Sequence, residues 1–380
     1  MLGRETSDES CSQQSDESRR GQAHESGSEQ SESGGEQIDE SQMEDTADLV
    51  AELQTNTQSM PQQAAEHMCA FTRWSQSELD ALMAAGTAPM VVALLRSDQP
   101  NLQEAAASTL ATVAGLSHDG SDAIIAAGAL PLLVELLKTH RPAVQGHAAG
   151  TLWNLAAGSQ EKSDAVIAAG AVPLLVALLG ATNDPAVQAA AAGALGSLAA
   201  DSPRHKIAIT AAAGQPLFVA LLRSDDLDVQ QKAAWALGNC AQCSQQHRNA
   251  VITARSASLL FNLLRSHQPA AQERAAATLI NFSAGSQKKA DAIIAAGVVP
   301  LLVVLLRSDQ PAVQRQAAWG LRNLASCSRQ SQDAIRAAGA EPLLVALCWS
   351  DSSAMQDAAA STLKSLQASC WQTKISCSMM

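Results

Sequence analysis

Lys232-Ala-Ala-Trp-Ala-Leu-Gly-Asn-Cys-Ala-Gln-Cys243 and its near-copy Arg315-Gln-Ala-Ala-Trp-Gly-Leu-Arg-Asn-Leu-Ala-Ser-Cys327 decide how this chain is read. Each places an Asn four residues after a Trp, Trp235 before Asn239 and Trp319 before Asn323, on an Ala-rich helical pattern. Positions i and i+4 of a helix lie one above the other. Indole and amide therefore share a face.

Outward from these stretches the chain repeats. Ala-Ala-Gly-x-x-Pro followed by an apolar run occurs at Gly86/Pro89, Gly128/Pro131, Gly170/Pro173, Gly297/Pro300 and Gly339/Pro342, with a shortened form at Gly214/Pro216. Gly86, Gly128 and Gly170 are 42 residues apart, as are Gly297 and Gly339. The gap of 83 between Gly214 and Gly297 holds two periods, the middle landmark degraded to Ala254-Arg-Ser-Ala-Ser258. A fixed period of about 40–47 residues marks a helical solenoid.

Each unit predicts three helices. Ser121-Asp-Ala-Ile-Ile-Ala-Ala127 is a short first helix ended by Gly128, a residue free to take the left-handed cap. Pro131 then opens a second helix, Leu132–Leu137, apolar nearly all round and so expected to be buried. A polar turn such as Arg307-Ser-Asp-Gln-Pro311 leads to a long amphipathic third helix, Ala312 to Ala325. Seven full units are expected, 76–116, 117–158, 159–201, 202–243, 244–285, 286–327 and 328–369. Before them, Asp48–Gln54 and Pro61–Phe71 match only second and third helices, as an N-terminal half-repeat cap would.

The chain's net charge of −12 is uneven: residues 1–66 hold 16 acids and 3 bases, leaving the body near neutral. Aromatics are 3 % and Tyr is absent, which suits stacked helices of small residues better than a globular core. Residues 1–46, rich in Ser, Glu and Gln, cannot bury enough apolar area to offset their ordering entropy, so a disordered acidic tail is expected. A solenoid over 47–370 and a loose C-terminal tail over 371–380 complete the domain reading.

Three helices per unit and the WxxxN pair resemble the armadillo-repeat family, the Trp-Asn pairs being similar to those of importin-α. The resemblance implies an all-α, right-handed α-solenoid of about seven three-helix repeats. It also implies that third helices line a concave groove holding an extended peptide of a partner protein. An Asn amide has donors and an acceptor for a peptide backbone; a Trp offers a wall for an aliphatic stem and attraction for a cation. Transferred by position, the Asn series reads Thr112, Asn154, Ser197, Asn239, Asn281, Asn323, Ser365. The Trp series reads Ser108, Gly150, Gly193, Trp235, Ala277, Trp319, Ser361. Trp153 lies one residue off that register and reads as packing.

Seven residues before the Asn stand Ala105, His147, Ala190, Lys232, Arg274, Gln316 and Ala358, with Arg315 and Arg322 nearby. If these bases reach the groove it favours an acidic or neutral ligand, similar to the β-catenin-type members; otherwise they are solvated helix charges. The candidate peptide-binding residues are Asn154, Lys232, Trp235, Asn239, Arg274, Asn281, Arg315, Trp319 and Asn323.

No GxxxxGK[ST], GxSxG, HExxH or calcium-loop pattern occurs in the sequence. No catalytic residue, cofactor or metal is therefore expected. Cys240 and Cys243 form a lone CxxC, and Cys240 occupies a core register. A near-neutral body with few aromatics argues against nucleic acid, and no apolar run is long enough for membrane insertion. The expectation is a non-catalytic, monomeric interaction scaffold of the cytoplasm or nucleus. An importin-α-like import adaptor and a substrate-recruiting subunit of a ubiquitin ligase or signalling complex stand as alternatives.

Overall fold

The computed structural model describes residues 86–241, 254–283 and 287–378. The tail over 1–46, the half-repeat cap and Cys243 lie outside the described residues. The chain enters through α1 (Ala88–Leu94) and the long α2 (Pro100–Leu116). Two triplets follow, α3 (His118–Ala126), α4 (Ala129–Leu136), α5 (Pro142–Gly158) and then α6 (Gln160–Ala168), α7 (Ala171–Ala181), α8 (Pro185–Asp201). The next is α9 (Pro203–Ala211), α10 (Gly214–Leu221) and α11 (Leu227–Ala241). Beyond 242–253 come α12 (Ala254–Leu264) and α13 (Pro269–Ser283). The chain closes with α14 (Gln287–Ala295), α15 (Val298–Leu305), α16 (Pro311–Ala325), then α17 (Arg329–Ala337), α18 (Glu341–Leu347) and α19 (Ser353–Ser378).

Among the described residues all regular structure is helical, and the architecture is an α-solenoid. The long helices α2, α5, α8, α11, α13, α16 and α19 pack each on the next in chain order. One apolar core runs the length of the stack, for example Leu110, Leu133, Leu152, Leu175, Leu195, Phe218, Leu237 and Leu321, all fully buried. Each such side chain contributes roughly 1.5–3 kcal/mol of transfer free energy. Ala fills the close approaches between long helices, so few rings are needed. Among the described residues no single helix is long and apolar enough to cross a membrane.

Local chemistry sets each corner. Ser117, Ser159, Ser202 and Ser328 cap the first helices through their hydroxyls, which accept from backbone N–H groups of the first turn. Gly86, Gly128, Gly170, Gly297 and Gly339 hold φ between +74° and +92° and turn the chain into the second helix. In the shortened landmark the left-handed residue is Ala213, at φ 61°, while Gly214 begins α10. A Cβ on Gly214 would meet the Ile209 carbonyl oxygen at 3.1 Å, so the glycine is needed there for closeness.

The second corner carries a feature that the landmark reading misses. Gln145, Gln188 and Gln314 each sit three residues after the Pro that opens a long helix. Their amides donate back to carbonyls ending the second helix or its turn: Gln145 to Leu137 at 3.1 Å, Gln188 to Thr182 at 2.8 Å and Gln314 to Leu306 at 2.8 Å. Gln103 does the same to Leu95 at 2.9 Å and Gln272 to Ser266 at 2.7 Å. Helix ends leave carbonyls without intrahelical partners, and these amides answer them.

Two expectations need correcting. Pro131 is the third residue of α4, not its first, which is tolerated because the opening N–H groups have no intrahelical partners anyway. The second helices are not buried all round: Val304 is 63 % exposed and Val345 51 %. In a single-file stack these positions face solvent. Helix α19 runs through Ser378, and no Gly or Pro follows Ser353 to end it.

Candidate functional site: the face of the long helices

Candidate side chains gather on the partly exposed face of the long helices. At Asn154, Asn239 and Asn281 the Nδ2 donates to a backbone carbonyl of the preceding long helix, at one register throughout: Ala111 at 2.9 Å, Gly196 at 3.0 Å and Gly238 at 3.3 Å. One donor of each amide thus ties neighbouring helices together. Asn239 is 5 % exposed, whereas Asn154, Asn281 and Asn323 are half-buried. Thr278 adds a parallel tie, its hydroxyl donating to the Ala234 carbonyl at 2.7 Å.

The rings and cations interleave. Lys232 Nζ lies 4.4 Å from the ring centroid of Trp153, Arg274 lies 5.3 Å from that of Trp235, and Arg315 lies 6.0 Å from that of Trp319. These distances fall within the range where a ring's negative face attracts a cation. Trp319 and Arg315 are one turn apart on α16. The other two pairs join different helices, and Lys232 reaches across α8 to α5. Asp228 flanks Lys232 at 3.6 Å on the same helix.

Helix α8 makes this reach possible. A Cβ on Gly193 would stand 2.8 Å from the Trp153 ring, and one on Gly196 would stand 2.7 Å from the Trp235 ring. The two indoles therefore lie against α8 one turn apart, from opposite neighbours, where any side chain would push them off. Trp153 does pack, but on the same face as Trp235, so the aromatic row has a member the WxxxN register passes over. Its signal in the sequence is the missing side chain at Gly193, the register position opposite.

The remaining groups set the electrostatics. Burial lowers the pKa of His147 below its ordinary value, partly opposed by the negative charge of Glu104. Cys327, four residues beyond Asn323, donates to the Asn323 carbonyl at 3.0 Å, and burial pushes its thiol pKa up. This position therefore carries no negative charge near neutral pH. Among the described residues no three His, Cys, Asp or Glu side chains gather as a metal site would need. Cys240 is fully buried in the core.

This stack of three-helix units agrees with what sequence comparison finds. A family model for the Armadillo/beta-catenin-like repeat matches residues 117–157, 159–200 and 286–326, and one for a HEAT-like repeat matches 185–239. Among solved structures, the crystal structure of an engineered protein from the Northeast Structural Genomics Consortium is 34 % identical, covering 84 % of this chain and 77 % of that one, with a TM-score of 0.74. A second engineered protein from the same consortium is 36 % identical over 63 % of this chain and 98 % of its own, with a TM-score of 0.60. No curated protein matches the sequence. The chain belongs to the armadillo-repeat family.

Proposed function

We propose that the protein is a non-catalytic interaction scaffold that holds an extended segment of a partner protein along the concave face of its long helices. The observation that carries this reading is the row of partly exposed indoles, cations and amides contributed by α5, α11, α13 and α16. Such a row suits a ligand that is itself linear and repetitive, and each contact adds roughly 1 kcal/mol. The armadillo family supports the coarser part, a protein-binding scaffold. Half-buried Asn154 and Asn281 keep a carbonyl and a second N–H, so one amide can tie the stack and still meet a ligand backbone.

The test is to pan a random peptide library against the full chain and measure the enriched peptides on the double variant Trp235→Ala/Trp319→Ala. Loss of about tenfold or more in affinity, equal to about 1.4 kcal/mol, is expected. Equal binding to the variant would place recognition elsewhere and remove this reading.

A further inference from the structure

We infer that the part of this face formed by α11, α13 and α16 selects a partner segment rich in Asp and Glu and turns away Lys- and Arg-rich ones, because the chain's own cations already occupy the Trp rings. The inference rests on the groove-binding reading above.

Three observations lead to it. First, each ring on the row has a resident cation, Lys232 on Trp153, Arg274 on Trp235 and Arg315 on Trp319. A second cation approaching the same ring meets the first within a few ångströms, where like charges repel. An indole that could have received a ligand's Lys is thereby closed to it.

Second, the rings hold flexible side chains in place. Lys and Arg otherwise lose considerable rotamer freedom when they bind, and positioning them beforehand removes part of that cost. A guanidinium drawn to a ring by its charge keeps its N–H donors in its own plane, a fork matched to a carboxylate.

Third, charge is divided along the stack. Helices α11, α13 and α16 carry Lys232, Arg274, Arg315 and Arg322 against Asp228 and Glu273. Helices α2, α5 and α8 carry Glu104, His147 and Asp201 and no Lys or Arg. Asp228 is the counter-ion nearest Lys232, but it is well exposed, and exposed ion pairs are weak enough for a ligand carboxylate to displace.

The experiment titrates three fluorescent peptides into the full chain at low and raised salt: one Asp/Glu-rich, one Lys/Arg-rich and one uncharged. The acidic peptide should bind at least about tenfold tighter than the basic one, and salt should weaken it. The charge-reversed variant Lys232→Glu/Arg274→Glu, checked for retained helix content, should invert the order. The ranking and salt dependence of the unaltered chain decide the matter even if that variant misfolds. Tighter binding of the basic or uncharged peptide, abolished by Trp235→Ala/Trp319→Ala, would overturn the charge preference while sustaining the groove. Absence of Trp-dependent binding by all three peptides would overturn both.

Discussion

Helices α8 and α16 open on the same four residues, Pro-Ala-Val-Gln, and then part company. Both bury their Val, both donate a Gln amide back to the preceding corner, and both set a fully buried Leu at one register, Leu195 and Leu321. On the outer face α16 carries Arg315, Trp319, Arg322 and Asn323, where α8 carries only Ala, Gly and Ser. Yet residues 191–199 of α8 are all buried, Gly193 and Gly196 beneath the neighbours' indoles. A bare helix is thus a seat, and a decorated one supplies what is seated. Gly in a helix interior is about 0.5–1 kcal/mol worse than Ala; the rings that Gly193 and Gly196 admit offset this.

The comparison can be broken at several depths. If the inner frames are equivalent, Leu195→Ala and Leu321→Ala should each cost roughly 2–5 kcal/mol and lower the urea midpoint to a similar degree. A large difference would mean that the stack is not uniform under its surface. The outer faces should differ: Gly193→Val should cost about 1–3 kcal/mol by overpacking against Trp153. Trp153→Ala in the same background should recover most of that loss, a coupling measurable by a double-mutant cycle. At the same register of α16 no such coupling to a neighbouring ring is expected for Trp319→Val.

Smaller effects sharpen it. Asn239→Ala leaves the Gly196 carbonyl of α8 without this donor and should cost about 1–3 kcal/mol, read again in urea. The smallest concerns His147, whose folded pKa burial holds below its ordinary 6.5. The neutral ring is therefore favoured in the fold, so its contribution is complete above that value. It is lost as pH falls through the lower folded one, where the unfolded chain takes up its proton more readily. His147→Gln should make the urea midpoint less sensitive to acid in that window.

The fold was legible because most units state it again. Gly128, Gly170, Gly297 and Gly339 stand at one register, and a left-handed turn asks for that residue type. Where the pattern slips, at Ala213 and Gly214, spacing alone could not say which residue turns and which is pressed against Ile209. The candidate row of side chains was legible by residue type and less so by pairing. Lys232, Arg274 and Trp235 were found from register, but which cation meets which ring depends on the space that α8 leaves open. A one-dimensional pattern records residues and is poor at recording room. Trp153 was passed over for that reason, and so was the second task of the Asn amides.

The glutamine corners have an evolutionary consequence. The turns they close are not uniform: Arg-Ser-x-Gln recurs at 96–99, 265–268 and 307–310, but 138–141 reads Lys-Thr-His-Arg and 182–184 only Thr-Asn-Asp. The bond that sets the angle comes from a side chain outside the turn, so the turn itself is released from that duty. Such segments can drift, lengthen or acquire new recognition residues, provided that Gln145, Gln188 or Gln314 stays in place. Descendants of one ancestor could therefore diverge at these bends and still share the same stack beneath.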